Sequence, residues 1–257
     1  MTHAHEHPVV APTAPVARTE RVVGALAMTL AASLVIQNAV VIGVGAPGYG
    51  DPIARVVAFH AENRTALGLV FGLEALNLPL LLGLVTGLHG LVRRRGAAGA
   101  DWSRLAMVAA SACAAILALY AVLWVGVVLA SGPLGSGPLG SGAPASGPLG
   151  SGTPGAGTLA VPTPVIELVW RMHAAAFALA LPALGTTLLG AAVATHLAGL
   201  TQRWQRLIGI AGGGSLIAAG AASLAIADGS PLVLASMPGY AAWIAWLAVT
   251  GIRLLRS

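Results

Sequence analysis

The sequence contains no lysine, and all 13 of its basic residues are arginine. Charged residues of both signs fill only 8% of 257 positions, against roughly 25% in a soluble domain. That scarcity excludes an ordinary water-soluble fold. The isoelectric point near 10.7 invites a nucleic-acid partner. The arginines, however, stand beside long apolar runs, where the bias of basic residues toward the cytoplasmic ends of membrane spans accounts for them. No nucleic-acid partner is expected. Cysteine is almost absent too. Cys113 stands alone inside an apolar run, which excludes a disulfide framework and a cysteine metal set and reads as a small core residue. No phosphate loop, nucleophile triad or zinc helix motif occurs, so no enzymatic reaction is indicated. The basic residues all being arginine, with a heavy load of Ala and Gly, is the composition of a high-GC bacterial genome.

What the chain has in abundance is apolar length. Hydrophobic residues make up 57% of it and the mean hydropathy is +0.86. Runs of 18 or more apolar residues read as membrane helices. The pattern predicts an all-α polytopic bundle of six spans, at 22–44, 63–92, 102–130, 164–197, 202–227 and 231–255. The first is too long for a signal-peptide core of about 7–15 apolar residues. Asp51-Pro52, Asp101, Thr163-Pro164 and Thr201 are expected to cap the helices that follow them. A short interfacial helix is expected after Pro52, with Ile53, Val56, Val57 and Phe59 against lipid or protein. Pro182 is expected to kink the fourth span.

Two segments stand outside this scheme. Residues 1–20 are polar and Pro-rich, and read as a disordered tail carrying His3, His5 and His7, a spacing that can hold copper or zinc loosely. Residues 131–157 repeat the pentads SGPLG, SGPLG, SGAPA, SGPLG and SGTPG. Gly, Ser and Pro at that density bury too little apolar surface to fold, so this is read as a flexible extracytoplasmic linker.

Orientation follows from arginine placement. With both termini in the cytoplasm, the inner ends hold Arg18, Arg21, Arg93, Arg94, Arg95, Arg104, Arg203, Arg206, Arg253 and Arg256, and the outer ends only Arg55, Arg64 and Arg171. That asymmetry predicts both termini inside and insertion in the plasma membrane. Two hairpins also look alike. Gly83 precedes His89 and Trp102-x-Arg104-Leu105, and Gly190 precedes His196 and Trp204-x-Arg206-Leu207. Both run outside, inside, outside, as a parallel duplication would.

The chemistry concentrates in the second span. Glu74 falls near its middle, with Asn77 one turn later. An ionisable side chain at that depth costs about 2.5–3.5 kcal/mol on insertion scales and marks a functional site. At about 100° per residue, His60, Arg64, Glu74 and His89 share an arc of roughly 80°. Glu74 is therefore expected to face the bundle interior as a mainly neutral acid, with Asn77, Gln37 or Asn38 as hydrogen-bond partners. Arg64, ten residues above, is too far for direct pairing. The candidate ligand-binding set is Glu74, Asn77, Gln37, Asn38 and Arg64, and the expected role is binding or passing a small solute, ion or proton. A purely structural or assembly role, with Glu74 as interhelical glue, is the competing expectation. An outer group, Asp51, Arg55, Glu62, Arg64, Glu167, Arg171 and Asp228, reads as helical ion pairs or as the mouth of a polar pocket.

A third reading is redox. His60 and His173 both sit near the outer face, where a bis-histidine pair could hold a b-type haem through its ring nitrogens. The stretch from Leu181 to Gly214, LPALGTTLLGAAVATHLAGLTQRWQRLIGIAGGG, resembles uncharacterised six-helix membrane proteins of high-GC bacteria. The resemblance implies a helical bundle and no assigned activity. The outer placement of His60 and His173 is also similar to that in haem A synthases. The glutamate-to-histidine-arginine motif of that family is not intact here, since Ala61 follows His60 and Arg171 precedes His173.

Overall fold

The computed structural model describes residues 14–131 and 161–257. The histidine tract and nearly all of the pentad linker lie outside the described residues. Eight α-helices follow in order: α1 (Ala14–Gly43), α2 (Ile53–Glu62), α3 (Arg64–Arg94), α4 (Ala100–Ala130), α5 (Thr163–Leu197), α6 (Arg203–Gly220), α7 (Ser223–Ala227) and α8 (Met237–Arg256). A 3₁₀ turn over Pro231–Ser236 leads into α8. The long helices form a closed ring in which α1 packs on α3, α3 on α4, α4 on α5, α5 on α6, α6 on α8 and α8 back on α1. This is an all-α membrane bundle.

Among the described residues, five helices are long and apolar enough to cross a membrane. Six spans were expected, and the difference lies in 202–227. There α6 runs 18 residues, with Arg203 and Arg206 in its first turn, and the chain breaks at Ala221-Ala222 before resuming as α7. The break falls where α6 meets the Pro182 ring. A Cβ on Gly220 would stand 2.3 Å from Pro182 Cδ. Even so, α6 and α7 together carry the chain from one end of the bundle to the other, since Asp228 meets Arg171 at the far end.

Two ends are defined by contacts. At one, Arg95 pairs with Glu20, Arg94 donates to Thr19 Oγ1 at 3.1 Å, and Gly24 packs on the backbone of Gly251 and Leu255. At the other, Gly50 packs on Gly229 and Tyr49 lies 5.4 Å from Trp170, ring to ring. The arginines divide between these ends as expected from the sequence.

Several local expectations shift. Helix α1 begins at Ala14, so the stretch 14–20, read as part of a polar tail, is helical. Its Glu20 is fully buried. The second span does not begin continuously from His60. Asn63 separates α2 from α3, so His60 belongs to a different helix from Glu74 and the shared arc does not hold. Asp51 does not cap α2; its Oδ2 accepts from Gly48 N at 2.8 Å, closing the preceding turn. Gly99 stands at the N-cap of α4 in the left-handed region, and its Cβ would strike the Ala194 carbonyl at 2.7 Å, so close approach as well as φ favours glycine there. Pro162, not Thr163, precedes α5. For α6 the cap is Gln202, in a reciprocal capping box with Gln205, while Thr201 Oγ1 turns to Thr195 Oγ1 at 3.1 Å.

The interior is layered. One buried apolar cluster runs from the arginine-rich end and includes Leu30, Leu34, Leu84, Leu88, Leu188 and Trp246. A second lies toward the opposite end and includes Val56, Phe59, Leu67, Val70, Trp124 and Trp170. On α3 the two clusters are parted between Val70 and Leu80, and the buried residues in that gap are Glu74 and Asn77.

Candidate functional site

Glu74 and Asn77 stand one turn apart on α3, so both project from the same face. Gln37 on α1 faces them. Gln37 Nε2 donates to Glu74 Oε2 at 2.8 Å, and Asn77 Nδ2 donates to Gln37 Oε1 at 2.9 Å. All three are buried, Gln37 at 8% exposure, Glu74 at 7% and Asn77 at 5%. Asn77 Oδ1 has no hydrogen-bond partner. Among the described residues no arginine or histidine comes within ion-pair distance of Glu74. The structure thus brings together three of the five residues singled out from the sequence.

Asn38 and Arg64 are placed differently. Asn38 is half-buried and donates to Leu34 O at 2.7 Å and to the Tyr240 hydroxyl at 3.0 Å. It reaches Glu74 only through its neighbour, since Tyr240 lies within electrostatic reach of the carboxyl. Arg64 opens α3 with an exposed side chain and takes no part in the network.

The sequence reading missed the tyrosines. The chain has three, and each lies near another. Tyr240 is held by Asn38. Tyr120 on α4 lies within electrostatic reach of both Glu74 and Tyr240. Tyr49 interacts with Tyr120 through its hydroxyl and lines a cavity of about 180 Å³ at the end of the bundle away from the arginine cluster. Burial pushes the Tyr49 hydroxyl above its usual pKa, which keeps it a neutral donor. Scarcity was the available signal, because three tyrosines in an apolar chain each need a partner for a hydroxyl. Cys113 also lies within electrostatic reach of Glu74. Pro79, two residues past Asn77, was missed as well. It lies inside α3 on the exposed side and denies Ala75 its hydrogen-bond donor.

The cavity is rimmed by Asp51, Glu167, Arg171 and Asp228 and backed by Tyr49 and Trp170. Arg171 pairs with Glu167 at 2.9 Å and with Asp228 at 3.7 Å. Asp51 pairs with Arg55 at 3.2 Å. The outer charges therefore serve as ion pairs and as a cavity rim at once. Glu62 and Arg64 stand outside the rim, exposed.

His60 and His173 meet in an aromatic cluster beneath this cavity. The His60 ring is fully buried. Trp124 Nε1 donates to His60 Nε2 at 2.8 Å. An indole nitrogen can only donate, so Nε2 is the acceptor and Nδ1 carries the hydrogen, 2.6 Å from Val56 O. Burial lowers the His60 pKa. This arrangement leaves no lone pair on His60 for an axial bond to iron. His173 Nδ1 donates to Tyr120 O at 3.1 Å, and its ring is stacked between Tyr120 at 4.1 Å and Trp170 at 5.0 Å. Near the arginine end, His89 Nδ1 donates to Ser103 Oγ at 2.8 Å, and His196 Nδ1 donates to Thr201 O at 3.3 Å. Among the described residues no group of three His, Cys, Asp or Glu side chains could hold a metal ion.

No family model matches this chain, and neither a curated protein nor a solved structure matches it. The residues themselves are the basis for a functional reading.

Proposed function

We propose that this protein is a plasma-membrane bundle that binds or passes a small solute, ion or proton at Glu74. One observation carries the reading. A carboxyl is buried between two apolar clusters with two amides as partners and no cation beside it. Helices can be tied together by amides alone. A carboxyl at that depth adds a desolvation penalty, and the useful thing it adds is the ability to change charge.

The tyrosines support an approach from one side. Tyr49, Tyr120 and Tyr240 lead from the cavity toward Glu74, while the cluster around Leu84 and Leu88 closes the arginine-rich end. Arginine placement puts that closed end, with both termini, in the cytoplasm, so that the cavity faces out. The α6–α7 pair serves as the sixth crossing. On this reading the chain belongs with the six-helix bacterial membrane proteins that its Leu181–Gly214 stretch resembles.

Flux into sealed vesicles tests the proposal. Full-length protein and Glu74→Gln are reconstituted side by side with entrapped dyes for protons, Na⁺ and K⁺. Flux in the parent that Glu74→Gln abolishes is the expected result for a passing role. Equal flux in both places the pathway elsewhere and overturns the assignment. Silence in both confines Glu74 to binding. A tie between α1 and α3 with no exchange is the structural alternative, and it predicts that Glu74→Gln matches the parent in every response.

A further inference from the structure

Resting on the reading of Glu74 as the exchange site, we infer that the species it takes up is a proton, and that Gln37 and Asn77 form a pair of amides that turn over together as that proton comes and goes.

The hydrogen bonds of the site have a direction. Asn77 Nδ2 donates to Gln37 Oε1, and Gln37 Nε2 donates to Glu74 Oε2. Each N–H points toward the acid. That order suits an ionised carboxyl, which can only accept. At the tail of the sequence is Asn77 Oδ1, an acceptor without a donor on a side chain 5% exposed. Buried acceptors in native proteins are nearly always satisfied, so this one requires a reason.

Protonation of Glu74 gives that oxygen a donor. A proton added to Glu74 Oε2 makes that atom a donor, and it then needs an acceptor where Gln37 presents an N–H. Rotating both amides by 180° provides one. Glu74 Oε2–H donates to Gln37 Oε1, and Gln37 Nε2 donates to Asn77 Oδ1. The oxygen and nitrogen of an amide are nearly the same size, so no heavy atom has to leave its place. The balance is one proton gained at Oε2, with no covalent bond broken and two side-chain hydrogen bonds before and after. The turnover engages Asn77 Oδ1, the acceptor left over in the charged state, and brings Asn77 Nδ2 to the place that oxygen held.

The surroundings favour a proton over a metal cation. A hard cation collects about six oxygens at once, whereas here the Gln37 N–H occupies Glu74 Oε2 and the Gln37 oxygen is taken by Asn77. The titratable groups facing Glu74 are Cys113 and Tyr120 from α4 and Tyr240 from α8. α1 contributes only amides, Gln37 and Asn38, and α5 has no titratable residue between His173 and His196. Thiols and phenols are neutral at pH 7, so Glu74 is the group at this layer that changes charge.

Infrared difference spectroscopy of the full-length protein in lipid, acidic minus alkaline, tests the inference. The expected spectrum shows a single carboxylic C=O band that Glu74→Gln removes. It also shows a coupled change in the side-chain amide C=O bands of ¹³C-labelled Gln and Asn that disappears in the same variant. Na⁺ and K⁺ at constant pH leave both unchanged. If Glu74→Gln does not fold, Glu74→Asp assigns the band by moving its frequency. A carboxylic band without an amide change overturns the paired turnover. A band displaced by Na⁺ or K⁺ overturns the proton while leaving Glu74 as the exchange site. Absence of any Glu74 band over the accessible pH range overturns the inference outright. Failure of the underlying reading looks different: the bands behave as expected, yet vesicle flux and ligand responses do not depend on Glu74.

Discussion

Gln37 and Glu74 are 37 residues apart in the chain and meet at 2.8 Å, amide Nε2 to carboxyl Oε2, at the depth where the two apolar clusters of the bundle part. The contact joins α1 to α3. It also satisfies a carboxyl that has no ion-pair partner among the described residues. On the proposed function, the bond ties stability and chemistry to the same pair of side chains.

Replacing Gln37 with Leu should lower stability. The substitution keeps the approximate volume and removes the donor from a buried acceptor, a loss of about 1–3 kcal/mol. In a chain of this size that corresponds to a fall in Tm of roughly 2–10 °C. Thermal unfolding in detergent measures it. A Tm equal to the parent's would show that Glu74 does not depend on this amide.

Arg95→Ala should also lower stability. Glu20 is fully buried and its carboxyl meets Arg95, whose side chain is 36% exposed. Removing the partly exposed arginine leaves a buried carboxyl uncompensated, and solvent screening of Arg95 holds the penalty below about 3–5 kcal/mol, the range for a fully buried pair. Removing both with Glu20→Gln and Arg95→Ala should cost less than the sum of the two single changes. Additivity in that double-mutant cycle would mean the pair is not coupled.

Gly213→Ala tests the seam between α5 and α6. The added Cβ would lie 2.6 Å from the Gly185 carbonyl and 3.0 Å from Leu189 Cβ, one turn on along the same helix. Overpacking of that kind costs about 1–3 kcal/mol. Gly214→Ala meets nothing within 4 Å and serves as the control. Equal Tm values for the two variants would refute the close packing of this seam.

His60 sets a pH dependence. Burial lowers its pKa in the folded protein, whereas in the unfolded chain it titrates near about 6.5. Between those values the unfolded state holds more protons. Stability from this group is therefore complete above about pH 6.5 and is lost as the pH falls. Melting the parent and His60→Gln from about pH 8 to pH 5 should give the parent the steeper decline on the acid side. Parallel curves would show that the ring is not held neutral by the fold.

The helical bundle was legible because long apolar runs have few alternatives. Glu74, Asn77 and Gln37 were legible because a polar side chain in such a run has to find another one. What could not be read was anything set by neighbours distant in sequence. The break at Ala221-Ala222 falls beside the Pro182 ring of another helix. The buried Glu20 looked like a residue of a polar tail until Arg95 arrived beside it. Asp51 and Thr201 have the chemistry of caps, but each found a nearer partner in Gly48 and Thr195. The helical wheel through His60 failed at Asn63, where a single non-helical residue put the histidine on a different helix. The tyrosines were overlooked because none has a motif; only packing brings them to one side of Glu74.

The central claim is that Glu74 exchanges a charge-bearing species and is not merely a tie between helices. Thermal unfolding of the parent and Glu74→Gln across pH, and across Na⁺, K⁺ and small organic cations at fixed pH, tests it most directly. A species bound only by the folded site at about 100 times its Kd adds about 2.7 kcal/mol, or roughly 5–10 °C in Tm. If Glu74 exchanges such a species, the parent's Tm shifts with one of these variables, and Glu74→Gln folds, melts near the parent's unliganded value and lacks that shift. Identical responses in the two proteins, or no response in either, would contradict it.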